Sequence, residues 1–327
     1  MKILVNGGAG YIGSHVVKLL GELGGHEITV VDNLVTGFKD AILYGDFVKL
    51  DLSDYDAVDK LFEEKKFDAV IHFAASLVVP ESVEDPLKYY MNNTANTTNV
   101  IRSCIKHGVN KFIFSSTAAT YGEPSAEFIP VKESTPTNPI NPYGSSKLMS
   151  ETVLKDTAFA FDDFKYIALR YFNVAGASVD GKIGQSTKGA THLIKVAAET
   201  ACGKREKMYV FGDDYDTEDG TCIRDYIHVE DLALAHLKAL EYLNEGNDSD
   251  IFNCGYGHGF SVLEVLETMR KVSGVDFTAE IKERRAGDPS ILISDNTKIK
   301  EVMGWEPKYD DLELICKTAL DWEKKLP

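Results

Sequence analysis

Nine residues near the start, "VNGGAGYIG" (5–13), restrict the folds open to this chain more than any other stretch. The strand-like run "KILVN" (2–6) passes through Gly7, Gly10 and Gly13 with no room for a loop. A buried strand that leaves through so short a glycine turn enters a helix at once, and units of this kind build parallel sheets. The pattern then recurs. "EITVV" (27–31), "DFVKL" (46–50), "DAVIHF" (68–73), "KFIFSS" (111–116) and "YIALRY" (166–171) are short apolar runs of the kind that parallel sheets bury on both faces. Amphipathic stretches at 54–65 and 87–107 lie between them and predict helices, and 143–160 is expected to be another.

The rhythm loosens after residue 172. Residues 173–190 are rich in Gly, Ser and polar groups, and "GDDYDTEDGT" (212–221) is an acidic, turn-rich loop. Ser261 and Glu264 form a capping-box pattern that predicts a helix start. The expected architecture is α/β: a Rossmann-type doubly wound parallel sheet over 1–172 and a smaller, mixed C-terminal substrate domain over 173–327. Some segments of the second part are expected to return to the first. Ligands of such open sheets bind at the carboxyl edge of the strands.

Composition narrows the function. Thirty-five basic against fifty-one acidic residues give a net charge of −16, which argues against nonspecific binding to nucleic acid or to anionic membrane. No apolar run approaches the roughly 20 residues of a membrane helix. The N-terminus enters its glycine turn too soon for a signal peptide, so a cytoplasmic location is expected. The five cysteines (104, 202, 222, 254, 316) are scattered and never spaced Cys-x-x-Cys, which predicts free thiols and no metal site.

Two constellations carry chemistry. The glycines permit a tight turn that lets the backbone approach a pyrophosphate, which then rests on the helix N-terminus. Asp32 ends the second strand, nineteen residues beyond Gly13. A carboxylate there accepts hydrogen bonds from a ribose diol and repels a 2′-phosphate, so NAD is expected over NADP. Asp51, after the third strand, is placed to reach an adenine edge or to serve as a turn residue. Further on, "NPYGSSK" sets Tyr143 four residues before Lys147, on one helix face. A phenol of reference pKa about 10 is a poor base at neutral pH, and a nearby cation favours its phenolate. Thr117, in "FSSTAATYG" (114–122), supplies a hydroxyl for the reacting oxygen.

The glycine pattern, "DNL" (32–34), "HFAA" (72–75), "SST…YG", "PYGSSK", "LRYFNVAGA" (169–177), "RDYIHVEDLA" (224–233) and "RRAGDPS" (284–290) together resemble the extended short-chain dehydrogenase/reductase family, and within it the UDP-sugar 4-epimerases. The resemblance spans essentially the whole chain. It implies Thr117, Tyr143 and Lys147 as catalytic residues. It places NAD against Gly7, Gly10, Tyr11, Ile12, Gly13, Asp32, Asn33, Asp51, Leu52, Phe73, Ala74, Ala75, Asn92, Ser115, Tyr143, Lys147 and Phe172. For a UDP-sugar it implies Thr117, Asn173, His192, Leu193, Tyr209, Phe211, Arg224, Tyr226, Arg285, Asp288 and Leu292. The arginine fork suits a diphosphate because it offers two parallel donors.

Related 4,6-dehydratases carry an Asp–Glu pair after the threonine, where this chain has Ala118 and Ala119. Alanine moves no proton, so elimination loses its acid–base pair while oxidation and reduction remain. The resemblance therefore implies reversible C4 inversion of UDP-glucose and UDP-galactose through a transient 4-keto sugar. The alternatives are another UDP-sugar (an N-acetylhexosamine, a uronate or a pentose) and, in a different class, a catalytically dead NAD sensor. Intact Thr117, Tyr143 and Lys147 disfavour the sensor. Leu77 stands where some relatives have a lysine that touches the cofactor. Leu292, four residues after Asp288, is expected to wall the pocket beside the sugar C2 substituent and to disfavour an N-acetyl group. A homodimer is implied, with the helices near 87–107 and 143–160 either pairing across it or simply covering the sheet.

Overall fold

In the computed structural model, which describes residues 1–285 and 288–327, all six apolar runs are parallel strands of one sheet. They are β1 (Lys2–Asn6), β2 (Glu27–Asp32), β3 (Asp46–Lys49), β4 (Ala69–His72), β5 (Lys111–Thr117) and β6 (Lys165–Tyr171). The second half adds β7 (Asn173–Ala175), β8 (Met208–Phe211), β9 (Ile223–Arg224), β10 (Tyr226–His228), β11 (Asp250–Cys254), β12 (Phe260–Ser261), β13 (Ala279–Lys282) and β14 (Ile291–Leu292).

The large sheet runs β11-β6-β5-β4-β1-β2-β3. Alternate side chains explain its two covered faces. Ile3, Val5, Val30, Ile71 and Ile113 join one core, while Leu4, Val31, Val70, Phe112 and Phe114 join the other. Helices Tyr11–Leu23 and Val229–Asn244 pack together on the first core; Tyr55–Lys65 and Asn96–His107 cover the second. From β1 the chain winds outward through β2 to β3, then crosses back to β4 on the other side. The switch point thus lies between the carboxyl ends of β1 and β4, where such folds bind ligands.

The second half divides between sheet and overlay. β11 pairs in parallel with β6 and extends the large sheet. The remaining strands form three small sheets, β7 with β10, β8 with β13, and β9 between β12 and β14. Ser261 Oγ accepts from Glu264 N at 3.1 Å and Glu264 Oε2 accepts from Ser261 N at 2.7 Å, so the capping box opens helix Val262–Ser273. The stretch 87–107 differs from a plain helix. Pro86–Tyr89 runs through a π-helical segment, Tyr90–Ala95, into Asn96–His107. All five cysteines are free, and among the described residues no helix is long and apolar enough to cross a membrane.

Candidate active site

The glycine turn is built for a close approach. Gly7 has φ +75°, and a Cβ there would lie 2.6 Å from the Ala74 backbone nitrogen. A Cβ on Gly13 would strike the Gly7 carbonyl oxygen. Gly10 caps helix Tyr11–Leu23 without any side-chain bond, which leaves its first N–H groups for an anion. At the end of β2, the buried Asp32 carboxylate accepts from Ala9 N at 3.0 Å and Leu34 N at 2.8 Å. Each oxygen keeps a lone pair, so the group is fixed yet still able to accept from a diol. Burial raises its pKa, with the two backbone bonds opposing. Asn33 Nδ2 donates to Asp51 at 2.9 Å, and the Ser53 hydroxyl, then Asn33 and the Ser53 N–H, hold the Asp51 carboxyl below its usual range. A dinucleotide fits this cradle: the turn, the open helix end and the carboxylate lie in the order that NAD requires.

Across the switch point, Phe73 N and Ala74 N both donate to Asn6 O. The loop beyond is held by Asn93, whose Oδ1 accepts from Ser76 N at 2.7 Å and whose Nδ2 donates to Ser76 O at 2.9 Å. Asn93 Nδ2 also reaches Ser146 Oγ at 3.0 Å. Asn92, the residue expected at the cofactor, donates to Ser76 Oγ at 2.9 Å. Leu77 is exposed.

Thr117 and Tyr143 meet above the strand ends. Thr117 closes β5 and caps the short helical turn that follows, accepting from Ala119 N at 3.1 Å. Asn141 caps helix Pro142–Ala160 through Gly144 N at 2.9 Å, which places Tyr143 in the first turn. Desolvation pushes the Tyr143 phenol up, and a hydrogen bond with Thr117 opposes it. The Lys147 ammonium donates to Ser115 O at 2.8 Å and lies 4.9 Å from the Phe114 ring centre. Burial lowers its own pKa to about 7.

Opposite this pair, Leu292 packs in one cluster with Ala118, Tyr121, Val131 and Phe172. β14 carries Leu292 beside Arg224 of β9, and Arg224 is ion-paired to Asp288. The Arg285 guanidinium sits 3.8 Å from the centre of the Phe211 ring. Tyr209 and Phe211 share the outward face of β8, with ring centres 6.3 Å apart. Ala286 and Gly287 of the same sequence block lie outside the described residues. Asn173, His192, Leu193 and the buried Tyr226 line one cleft together with Gln185, whose amide donates to His192 Nδ1 at 3.0 Å.

Residues 3–255 match the model of the NAD dependent epimerase/dehydratase family. The chain belongs to that family. This epimerase/dehydratase is 50% identical over 326 residues to the UDP-glucose 4-epimerase of Azospirillum brasilense, covering 99% of this chain and 92% of that protein. It is 62% identical to the UDP-Glc/GlcNAc 4-epimerase of Campylobacter jejuni, with TM-score 0.86 and 99% of each chain covered. The UDP-glucose 4-epimerase of Brucella ovis, solved in complex with NAD, superposes with TM-score 0.95 at 44% identity over 99% of this chain and 98% of that one.

Within this family member, sequence reasoning passed over three buried polar residues. They are Asn93, Glu151 and Arg170. Glu151 follows Lys147 by one helical turn, so the face shared with Tyr143 was the available signal. Arg170 sits inside an otherwise apolar strand, which is itself a mark of a specific partner.

Proposed function

We propose that the chain interconverts UDP-glucose and UDP-galactose by inverting C4, with Tyr143 as the proton carrier. The observation that carries this reading is the meeting of Thr117 and Tyr143 above the dinucleotide turn, with alanines at 118 and 119. Bound NAD supplies reversible acceptance of a hydride. Tyr143 removes the proton of the sugar C4 hydroxyl, while the Thr117 hydroxyl hydrogen-bonds the same oxygen. The 4-keto sugar turns over in the pocket and presents its other face, and Tyr143 returns the proton. Ala118 and Ala119 cannot deliver the proton that elimination needs, so the ketone is reduced and not dehydrated. Arg224, Arg285 and Asp288 hold the diphosphate and ribose, and Tyr209 and Phe211 flank the uracil. Purified protein incubated with UDP-galactose and no added reductant is expected to form UDP-glucose, with no net NADH. A 4-keto-6-deoxy product, or NADH formed in proportion to sugar, overturns the reading.

A second substrate reading follows from the Campylobacter jejuni relative, whose name covers the N-acetylated sugar as well. Leu292 separates the two. Its packing against Ala118 and Phe172 puts an apolar wall at the catalytic loop, and the leucine itself offers an acetamide no hydrogen bond. Leaving that amide unpaired costs about 1–3 kcal/mol, which predicts a preference for the unacetylated pair of roughly ten- to a hundredfold. Leu292→Ser is expected to raise kcat/KM for the N-acetylated sugar more than for UDP-galactose. Equal wild-type efficiency on both sugars favours the dual-substrate reading; a parallel fall in both activities in the variant assigns Leu292 to packing alone.

The homodimer belongs to the same proposal. Leu87, Met91 and Met149 leave an exposed apolar surface on the helical segments expected to pair. Sedimentation of the purified chain is expected to give twice the monomer mass.

A further inference from the structure

Tyr143, Lys147 and Glu151 follow one another at four-residue intervals on helix Pro142–Ala160, so the three side chains share a face. Lys147 is 2% exposed and Glu151 is 3% exposed. The Glu151 carboxylate accepts from Arg170 Nε at 3.0 Å and Nη2 at 2.6 Å, and from the Ser116 hydroxyl. Ser116 and Arg170 are register partners on β5 and β6, and Thr117 comes directly after Ser116. The Arg170 guanidinium also lies 4.8 Å from the centre of the Tyr121 ring, whose hydroxyl donates to Asn253 at 2.7 Å. A buried ion pair is a weak source of stability, since apolar residues of similar volume commonly do as well. Its place beside the catalytic helix calls for another explanation.

We propose that Glu151 is a positioning residue for the reaction read above: it ties the helix carrying Tyr143 and Lys147 to the strand end carrying Thr117, and presents a carboxylate to the Lys147 ammonium. This rests on the proposed epimerisation. The groups set against Lys147 are His72 from β4, the Ser115 carbonyl and Phe114 ring from β5, and Glu151 from its own helix, with Tyr143 one turn before it on that helix and Tyr171 of β6 close to Ser115 and Tyr143. His72 is held neutral, its pKa brought down to about 3 by burial and by Lys147. Glu151 faces Arg170, Ser116, the Tyr166 phenol and Lys147. Its negative charge opposes the desolvation that drives Lys147 toward the neutral amine. A neutral Lys147 no longer favours the Tyr143 phenolate, so activity falls as Lys147 loses its proton.

The test is the pH profile of kcat/KM in wild type, Glu151→Gln and Glu151→Asp. In Glu151→Gln the alkaline limb is expected to move about one unit toward acid, lowering efficiency roughly tenfold on the alkaline side. Glu151→Asp, which keeps the charge, is expected to restore the limb. Glu151→Gln leaves Arg170 buried and unpaired, so Glu151→Leu/Arg170→Met provides a second variant without either charge. Its limb is expected to move in the same direction. Folded variants that lose activity equally at every pH, with the limb unmoved, overturn the proposal. Urea unfolding from about pH 5 to 9 gives a readout that needs no turnover. The folded-state pKa of Lys147 lies below the unfolded value, so the unfolded chain binds more protons and stability rises with pH above about 7. That rise is expected to begin at lower pH in the double variant, and an unchanged onset also overturns the proposal. Should wild type convert neither sugar, the epimerase reading falls and the unfolding curves still decide the placement of Glu151.

Discussion

Tyr143→Phe is expected to lower turnover by roughly 10²–10⁴-fold while the protein stays folded and keeps its NAD. The substitution removes one oxygen from a ring packed edge-on to Tyr89, with ring centres 6.4 Å apart, so the side chain keeps its seat. What is lost is the hydroxyl that lies close to Thr117 and that the proposed reaction uses to carry the proton. Desolvation already holds that phenol above the ordinary tyrosine range, so the charge that favours phenolate has to come from Lys147 and the bound nicotinamide together. Steady-state rates, with NAD content measured after acid release, check the prediction. Near-normal turnover in a folded Tyr143→Phe protein removes Tyr143 from the mechanism.

The other large effect is expected at the opposite end of the site. Gly7→Ala should cut NAD retention by at least about tenfold, which corresponds to about 1.4 kcal/mol. Two independent costs act there. The positive φ of Gly7 disfavours any side chain by about 1–2 kcal/mol. The added methyl also meets the Ala74 backbone, two residues past β4 and held by its N–H to Asn6 O, which cannot swing aside as a flexible side chain would. Relief requires the turn to open, and the phosphate seat opens with it. NAD content per chain after gel filtration is the measurement; a full complement of NAD in Gly7→Ala contradicts the close approach.

The inner strands were legible because they are buried on both faces, so runs such as "KILVN" and "KFIFSS" stand out as apolar segments, whereas the edge strand β3 has no buried residue. Tyr143 and Lys147 were legible because a helix brings residues four apart together. The π-helical segment at Tyr90–Ala95 hid Asn93, since it displaces side chains from the period that a plain helix imposes. The partner of Lys147 was hidden for a different reason: it is the main-chain carbonyl of Ser115, and a carbonyl leaves no trace in residue types. β7, β9, β10, β12 and β14 are two or three residues long, too short for any alternation to show.

The parallel pairing of β11 with β6 has a consequence for how the protein is made. A nascent chain that has emerged only as far as Tyr171 has every other strand of the large sheet in hand, yet the outer edge of β6 has nothing to bond. Five residues of unpaired backbone, Ile167 to Tyr171, wait there until Asp250–Cys254 leave the ribosome. Asn253 then completes two links at once, accepting from the Tyr121 hydroxyl and donating to the Val131 carbonyl. An open edge of that length invites pairing with a neighbouring chain. Translation that stalls between those two strands is therefore the point at which this protein is most exposed to aggregation, and a chain truncated there is expected to be recovered in the insoluble fraction.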